Sequence, residues 1–140
     1  MFLTARQDGR PLFFSRPQGS TRQNYWGTNR IGNRGNDEFF NPEVVAANNF
    51  RHKMVNHGET LVFDNKNNVA EVDRDGRGIA LVNFGNKAVK IKMCTSLPGG
   101  TYTDGVHGAT FTVKDGTIEG SLAPLNSYIL YANDTSYFEK

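Results

Sequence analysis

From Glu59 to Tyr131 the chain is cut into short runs that alternate apolar with polar residues or stay briefly apolar, and turn residues separate them. The candidate strands are Thr60–Phe63, Val69–Val72, Ile79–Phe84, Val89–Cys94, Thr101–Thr103, Thr110–Lys114, Thr117–Leu122 and Tyr128–Tyr131. Val89, Ile91 and Met93 alternate with Lys90, Lys92 and Cys94, which is the period of a strand with one wet face. Asp115-Gly116 is a strong two-residue hairpin signal, while Asp73-Arg74-Asp75-Gly76 and Leu97-Pro98-Gly99-Gly100 read as turns. Eight short strands so punctuated predict an antiparallel Greek-key sandwich or barrel.

The first segment, residues 1–57, follows a different grammar. Phe2–Arg6 reads as the tail of a helix stopped by Asp8-Gly9. Leu12-Phe13-Phe14, set between Pro11 and Pro17, reads as a strand buried on both faces. A long polar stretch from Arg16 to Phe40 follows, with Tyr25-Trp26 in its middle; loops of that length are usually functional. Asn41 as N-cap, Pro42 at the first helical position and Glu43 in the first turn predict a helix over 42–56. At the helical period Val44, Ala47, Phe50, Met54 and Val55 share an arc of about 140°.

A strand greasy on both faces needs neighbours and covering helices, usually in a parallel sheet. Upstream of Leu12 there are only eleven residues. The downstream sandwich has room for the helix, but hardly for a buried parallel strand as well. With 140 residues the chain is also too short for a (β/α)8 barrel, which needs roughly 250. Residues 1–57 are therefore expected to be the last β/α unit of a larger α/β domain. Ten Phe, five Tyr and one Trp give enough core-forming bulk to argue against disorder.

Charge is divided unevenly. Residues 1–35 carry six arginines and one acid, Asp8, whereas the rest carries ten basic and thirteen acidic side chains. The arginines are scattered through a strand and its loop and not clustered on one helix, so no nucleic-acid partner is read from them. No apolar run approaches the ~18 residues of a membrane span, and no membrane partner is expected. No secretory leader is read after Met1.

Gly9-Arg10-Pro11-Leu12-Phe13-Phe14-Ser15-Arg16-Pro17 resembles the eighth barrel strand of bacterial α-amylases of glycoside hydrolase family 13. Ile31-Gly32-Asn33-Arg34-Gly35, Phe39 and the helix at 42–56 are similar to the loop and last helix that follow that strand. Asn67-Asn68-Val69 with Arg77-Gly78-Ile79-Ala80-Leu81-Val82-Asn83 looks like the opening hairpin of the family's C-terminal β-sandwich, domain C. Leu97-Pro98-Gly99-Gly100-Thr101-Tyr102-Thr103-Asp104 is similar to a turn and strand midway through it. The resemblance implies a mainly β chain: residues 1–57 as the end of the catalytic barrel, residues 58–140 as domain C. It also implies that the parent enzyme hydrolyses α-1,4-glucosidic bonds of starch-like glucans with retention, that the reacting carboxylates lie outside this chain, and that calcium is possible in the complete enzyme but has no ligands here. The partners it implies are α-glucan and the rest of the barrel, with self-association through uncovered apolar surface; complete enzymes of this kind are often extracellular.

The residues agree with a chain lacking its own catalytic pair. Retaining cleavage needs two carboxyls ~5–5.5 Å apart across a cleft. Asp37, Glu38 and Glu43, the acids nearest the long loop, are better explained by the start of the helix. Tyr25 and Trp26 are the candidate carbohydrate contacts, their flat faces suiting sugar rings, although rings packing the loop onto its neighbours would read the same way. His52, His57 and His107 lack ligand spacing, so no metal site is expected. Cys94, the lone cysteine, is expected to be an inert packed thiol. The chain is thus expected to be a non-catalytic, stabilising part of an α-amylase. The alternative is a free-standing glucan-binding β-sandwich.

Overall fold

In the computed structural model, residues 1–11, 16–28 and 35–132 are described. Eight antiparallel strands build two four-stranded sheets. The strands are β1 (Thr60–Asp64), β2 (Val69–Arg74), β3 (Gly78–Asn83), β4 (Val89–Cys94), β5 (Gly100–Thr103), β6 (Thr110–Lys114), β7 (Thr117–Leu122) and β8 (Ser127–Tyr131). The first sheet has the order β1–β2–β3–β8 and the second β4–β7–β6–β5. The chain crosses between sheets after β3 and again after β7. Because β4 lies beside β7 and not beside β5, the second sheet is a Greek key, as the strand punctuation predicts.

Local chemistry fixes the turns. Asp115 and Gly116 both have positive φ (50° and 70°), the conformation a two-residue hairpin of this twist requires. Asp104 is buried after β5, accepting from the Val106 amide (3.1 Å) and from the Ile129 amide of β8 (2.7 Å). Asn83 donates through Nδ2 to the carbonyls of Lys87 and Ala123 (2.9 Å each), joining both crossings between the sheets.

The main core lies between the sheets. Val69, Ile79, Leu81, Tyr128 and Leu130 of the first meet Ile91, Met93, Phe111, Val113, Ile118 and Leu122 of the second. On the second sheet's outer face stand Lys90, Lys92 and Cys94, all exposed. The cysteine is therefore not the packed thiol expected: its parity with the two lysines puts it on the wet face.

The outer face of the first sheet is not wet. Val72, Ala80 and Ile129, aligned across β2, β3 and β8, support a second core with Ala5, Phe50 and Met54. A single helical turn, α1 (Phe2–Ala5), and the helix α2 (Pro42–Lys53) supply that layer. Asn41 caps α2 by accepting the Glu43 amide (2.9 Å), with Pro42 opening the helix. The helix ends at Lys53, three residues before the expected Asn56, and Met54 caps it. Val55 consequently leaves the apolar stripe and is exposed, while Ala47, Phe50 and Met54 are buried. Among the described residues no helix is long and apolar enough to cross a membrane. The expected strand Leu12–Phe14 and the segment Ile31–Arg34 lie outside the described residues.

One close approach inside the main core makes a sharp test. Gly120 of β7 faces inward, and a Cβ there would come within 2.3 Å of the fully buried Phe111 ring. The ring is wholly buried and must shift to admit the methyl group, so Gly120→Ala is expected to destabilise the sandwich by about 1–3 kcal/mol. Urea unfolding measures this, and an unchanged midpoint would refute the packing described.

Candidate functional site

Tyr25 and Trp26 sit at the tip of a loop that folds on itself. Thr21 Oγ1 accepts the amides of Gln23 (3.2 Å) and Asn24 (3.0 Å). The Asn24 side chain then spans the tip, accepting the Gly27 amide (3.1 Å) and donating to the Gly27 carbonyl (3.2 Å). The Thr28 amide closes the loop onto the Gln18 carbonyl (3.0 Å). Gly27 is obligatory: its φ is +56°, and a Cβ would lie 2.1 Å from the Gln18 oxygen. This frame leaves Tyr25 72% and Trp26 77% exposed. Two exposed aromatic side chains, neighbours in sequence, thus stand at the tip of a hydrogen-bonded loop.

Of the acids near this loop, Glu43 is engaged by a side chain. Glu43 Oε1 lies 3.0 Å from His107 Nε2, tying the start of α2 to the loop after β5. His107 also stands edge-on to Tyr128, with centroids 5.3 Å apart. Asp37 caps the 3-10 turn Glu38–Phe40 and Glu38 opens it, and the Asp37 carbonyl accepts the Phe40 amide. Among the described residues no three His, Cys, Asp or Glu side chains converge.

Three buried charged residues of β2 are not evident from the sequence. Arg74 faces the helical layer and is buried. Its guanidinium donates to the carbonyls of Ala5 (3.0 Å), Met54 (2.7 Å), His57 (2.7 Å) and Gly58 (3.1 Å). Asp73 faces the other way and accepts from the Ser96 amide (2.7 Å) and the Gly76 amide (3.1 Å), pinning the β2–β3 turn to the segment after β4. Glu71 is wholly buried between the sheets, and among the described residues neither carboxyl oxygen has a hydrogen-bond partner. Its pKa is pushed up to about 8, chiefly by burial; the Thr95 hydroxyl, directed at Asp73, offsets part of this, and the Asp73 charge adds to it. The signal for all three was their position in a strand later covered on both faces.

A shallow cleft of about 560 Å3 opens beside that turn, lined by Asp75, Arg77, Ser96, Pro98 and Tyr102 among others. Tyr102 is fixed there, its hydroxyl donating to the Pro98 carbonyl (2.6 Å). Glu71 and Asp73 lie behind this wall, buried, and do not face the cleft.

Glu71 yields a signed pH dependence. A carboxyl at about 8 in the fold and near 4.5 when unfolded keeps its proton in the folded state over that interval. Stability therefore declines as pH rises from about 4.5 to 8 and levels off above, by of order 3–5 kcal/mol in all. Glu71→Gln, a permanently neutral isostere, is expected to flatten that decline. Chemical denaturation across the interval tests it, and parallel profiles for both proteins would refute it.

No protein-family model matches the chain. It is 36% identical over 132 residues to an α-amylase of Butyrivibrio fibrisolvens, covering 86% of this chain and 13% of that protein. An α-amylase of Clostridium acetobutylicum is 32% identical over 129 residues, covering 90% of this chain and 15% of the relative. The chain thus spans about one-seventh of the length of the curated relatives it matches. Among solved structures, a variant of α-amylase I from Eisenia fetida in complex with maltohexaose superposes with a TM-score of 0.60 at 20% identity, over 83% of this chain and 27% of that one. An Anoxybacillus α-amylase gives a TM-score of 0.51 at 17% identity, over 71% of this chain and 24% of the other. The two-sheet fold matches the C-terminal β-sandwich domain of these enzymes, and the chain belongs, by homology over nearly nine-tenths of its length, to the α-amylases.

Proposed function

We propose that this chain serves an α-amylase as its stabilising C-terminal part, with residues 1–57 closing the catalytic α/β domain and residues 58–140 forming the sandwich that backs it. The observation that carries this reading is the pairing of homology over 86–90% of this chain with coverage of only 13–15% of the relatives. On this reading the whole enzyme hydrolyses α-1,4-glucans, and the reacting carboxylates belong to parts of the α-amylase outside this chain. The sandwich contributes by covering the apolar side of α2, so that the last helix of the α/β domain enters a closed core instead of facing water.

Tyr25 and Trp26 are the residues through which this segment would touch glucan in the assembled enzyme. Pyranose rings present an apolar face to such a platform and hydroxyls to the surrounding Asn24 and Gln23 side chains. Their exposure in this chain also favours a second reading, a module that holds glucan without cutting it.

Two measurements on the purified chain separate these readings. Soluble starch is expected to remain uncut, and release of reducing ends above a blank would contradict the proposed division of labour. Trp26 is the single indole, so maltohexaose titration reads the loop directly. Quenching that is lost in Tyr25→Ala would support the binding module. A flat titration leaves the platform without a role outside the whole enzyme and favours the stabilising reading.

A further inference from the structure

We infer that β1 is a self-complementary edge through which two copies of this chain pair, antiparallel, about a twofold axis at Val62. Sheets in soluble proteins guard their edges, because an unpaired row of amides and carbonyls is a template for another strand. Three of the four edges here are guarded. On β4, Lys90 and Lys92 alternate along the strand. Only four residues make up β5. At β8 the Ile129 amide is taken by Asp104, and its carbonyl faces the Gly105 amide.

The remaining edge, β1, reads Thr-Leu-Val-Phe-Asp, without lysine, proline or bulge. It pairs with β2 alone, and among the described residues nothing outside β2 hydrogen-bonds the backbone of Thr60–Phe63. Phe63 is 54% exposed at this margin, and with Phe84 it forms an aromatic patch around Phe2, at centroid distances of 6.3 and 5.9 Å from the Phe2 ring.

The strand's order of residues selects the occupant. Antiparallel pairing centred on Val62 sets Val62 against Val62 of the second copy and Leu61 against Phe63. Thr60 then meets Asp64. Apolar residues meet apolar residues on the helical side, and at each end a hydroxyl donor meets the Asp64 carboxylate, which also accepts from Asn67; the Leu61–Phe63 and Thr60–Asp64 contacts each occur twice about the axis and the Val62 pair once. Pairing of five-residue strands buries well under the roughly 1,600 Å2 of a standard interface, so the dimer is weak and forms at high concentration. This association rests on β1 alone and is independent of the amylase role proposed above.

Sedimentation velocity of the full chain over about three decades of concentration, up to roughly millimolar, tests it. The expected result is reversible dimerisation, accompanied by slower hydrogen exchange of the Leu61–Phe63 amides at the high end. Thr60 is exposed, so its variants keep the fold. Thr60→Glu sets a carboxylate against Asp64 of the other copy and is expected to weaken the dimer about three- to tenfold. Thr60→Lys sets an opposite charge there and is expected to tighten it. A chain monomeric up to millimolar concentration would overturn the inference. So would dimerisation that responds equally to both Thr60 variants, or that is lost in Leu3→Glu while both leave it intact, since the contact would then lie on the helical layer.

Discussion

A single buried guanidinium joins the two halves of this chain. Arg74, the last residue of β2, reaches into the helical layer and donates to the carbonyls at and just beyond the ends of α1 and α2. Helix C-termini leave carbonyls without intrahelical partners, and burying them unpaired costs about 1–3 kcal/mol each. An arginine suits this position because its planar fork presents several donors in fixed directions. Burial sets its pKa below the usual arginine value, Glu59 and Asp75 offsetting part of this and Arg51 adding to it, and a guanidinium keeps its proton there. Arg51 repeats the device from the helix side, donating to the Arg6 carbonyl (3.3 Å), and Glu59 binds both Arg6 Nε and the Gln7 amide at 2.8 Å.

This clamp explains why the first sheet is apolar on both faces. β2 and β3 are buried along their whole length, with the second sheet on one side and the helices on the other. A domain-C sandwich alone would present Val72, Ala80 and Ile129 to water. With α2 docked, those side chains and Phe50 share one core. The physical link between the helical layer and the sandwich is thus a continuous packed core, not a tether. Such a layer transmits the position of the last helix to the sandwich rigidly.

The eight strands were legible because period-two alternation and turn residues are local signals, and Asp115-Gly116 is among the strongest of them. The charged residues of β2 were not. The sequence reads as a strand over Val69–Val72 and a turn from Asp73, yet β2 runs on through Arg74, with Glu71 and Asp73 facing the second sheet and Arg74 the helices. Only knowledge that both faces are covered turns those residues into buried groups in need of partners. Tyr25 and Trp26 were legible as a suggestive pair. Their presentation depends on Thr21, Asn24 and Gly27, whose roles emerge once the loop's hydrogen bonds are known. The long polar stretch thus proved to contain a loop built on its own side chains.

Hydrogen exchange of Arg74→Met against the parent chain is the most direct test of this account. Methionine fills similar volume but gives no donor, so the carbonyls of Ala5, Met54 and His57 lose the donors that Arg74 supplies in the fold. The account predicts selective loss of protection in residues 42–53, by roughly 2–4 kcal/mol, with the amides of β4, β6 and β7 keeping theirs. Unchanged protection of that helix, or an equal loss in every strand, would contradict it.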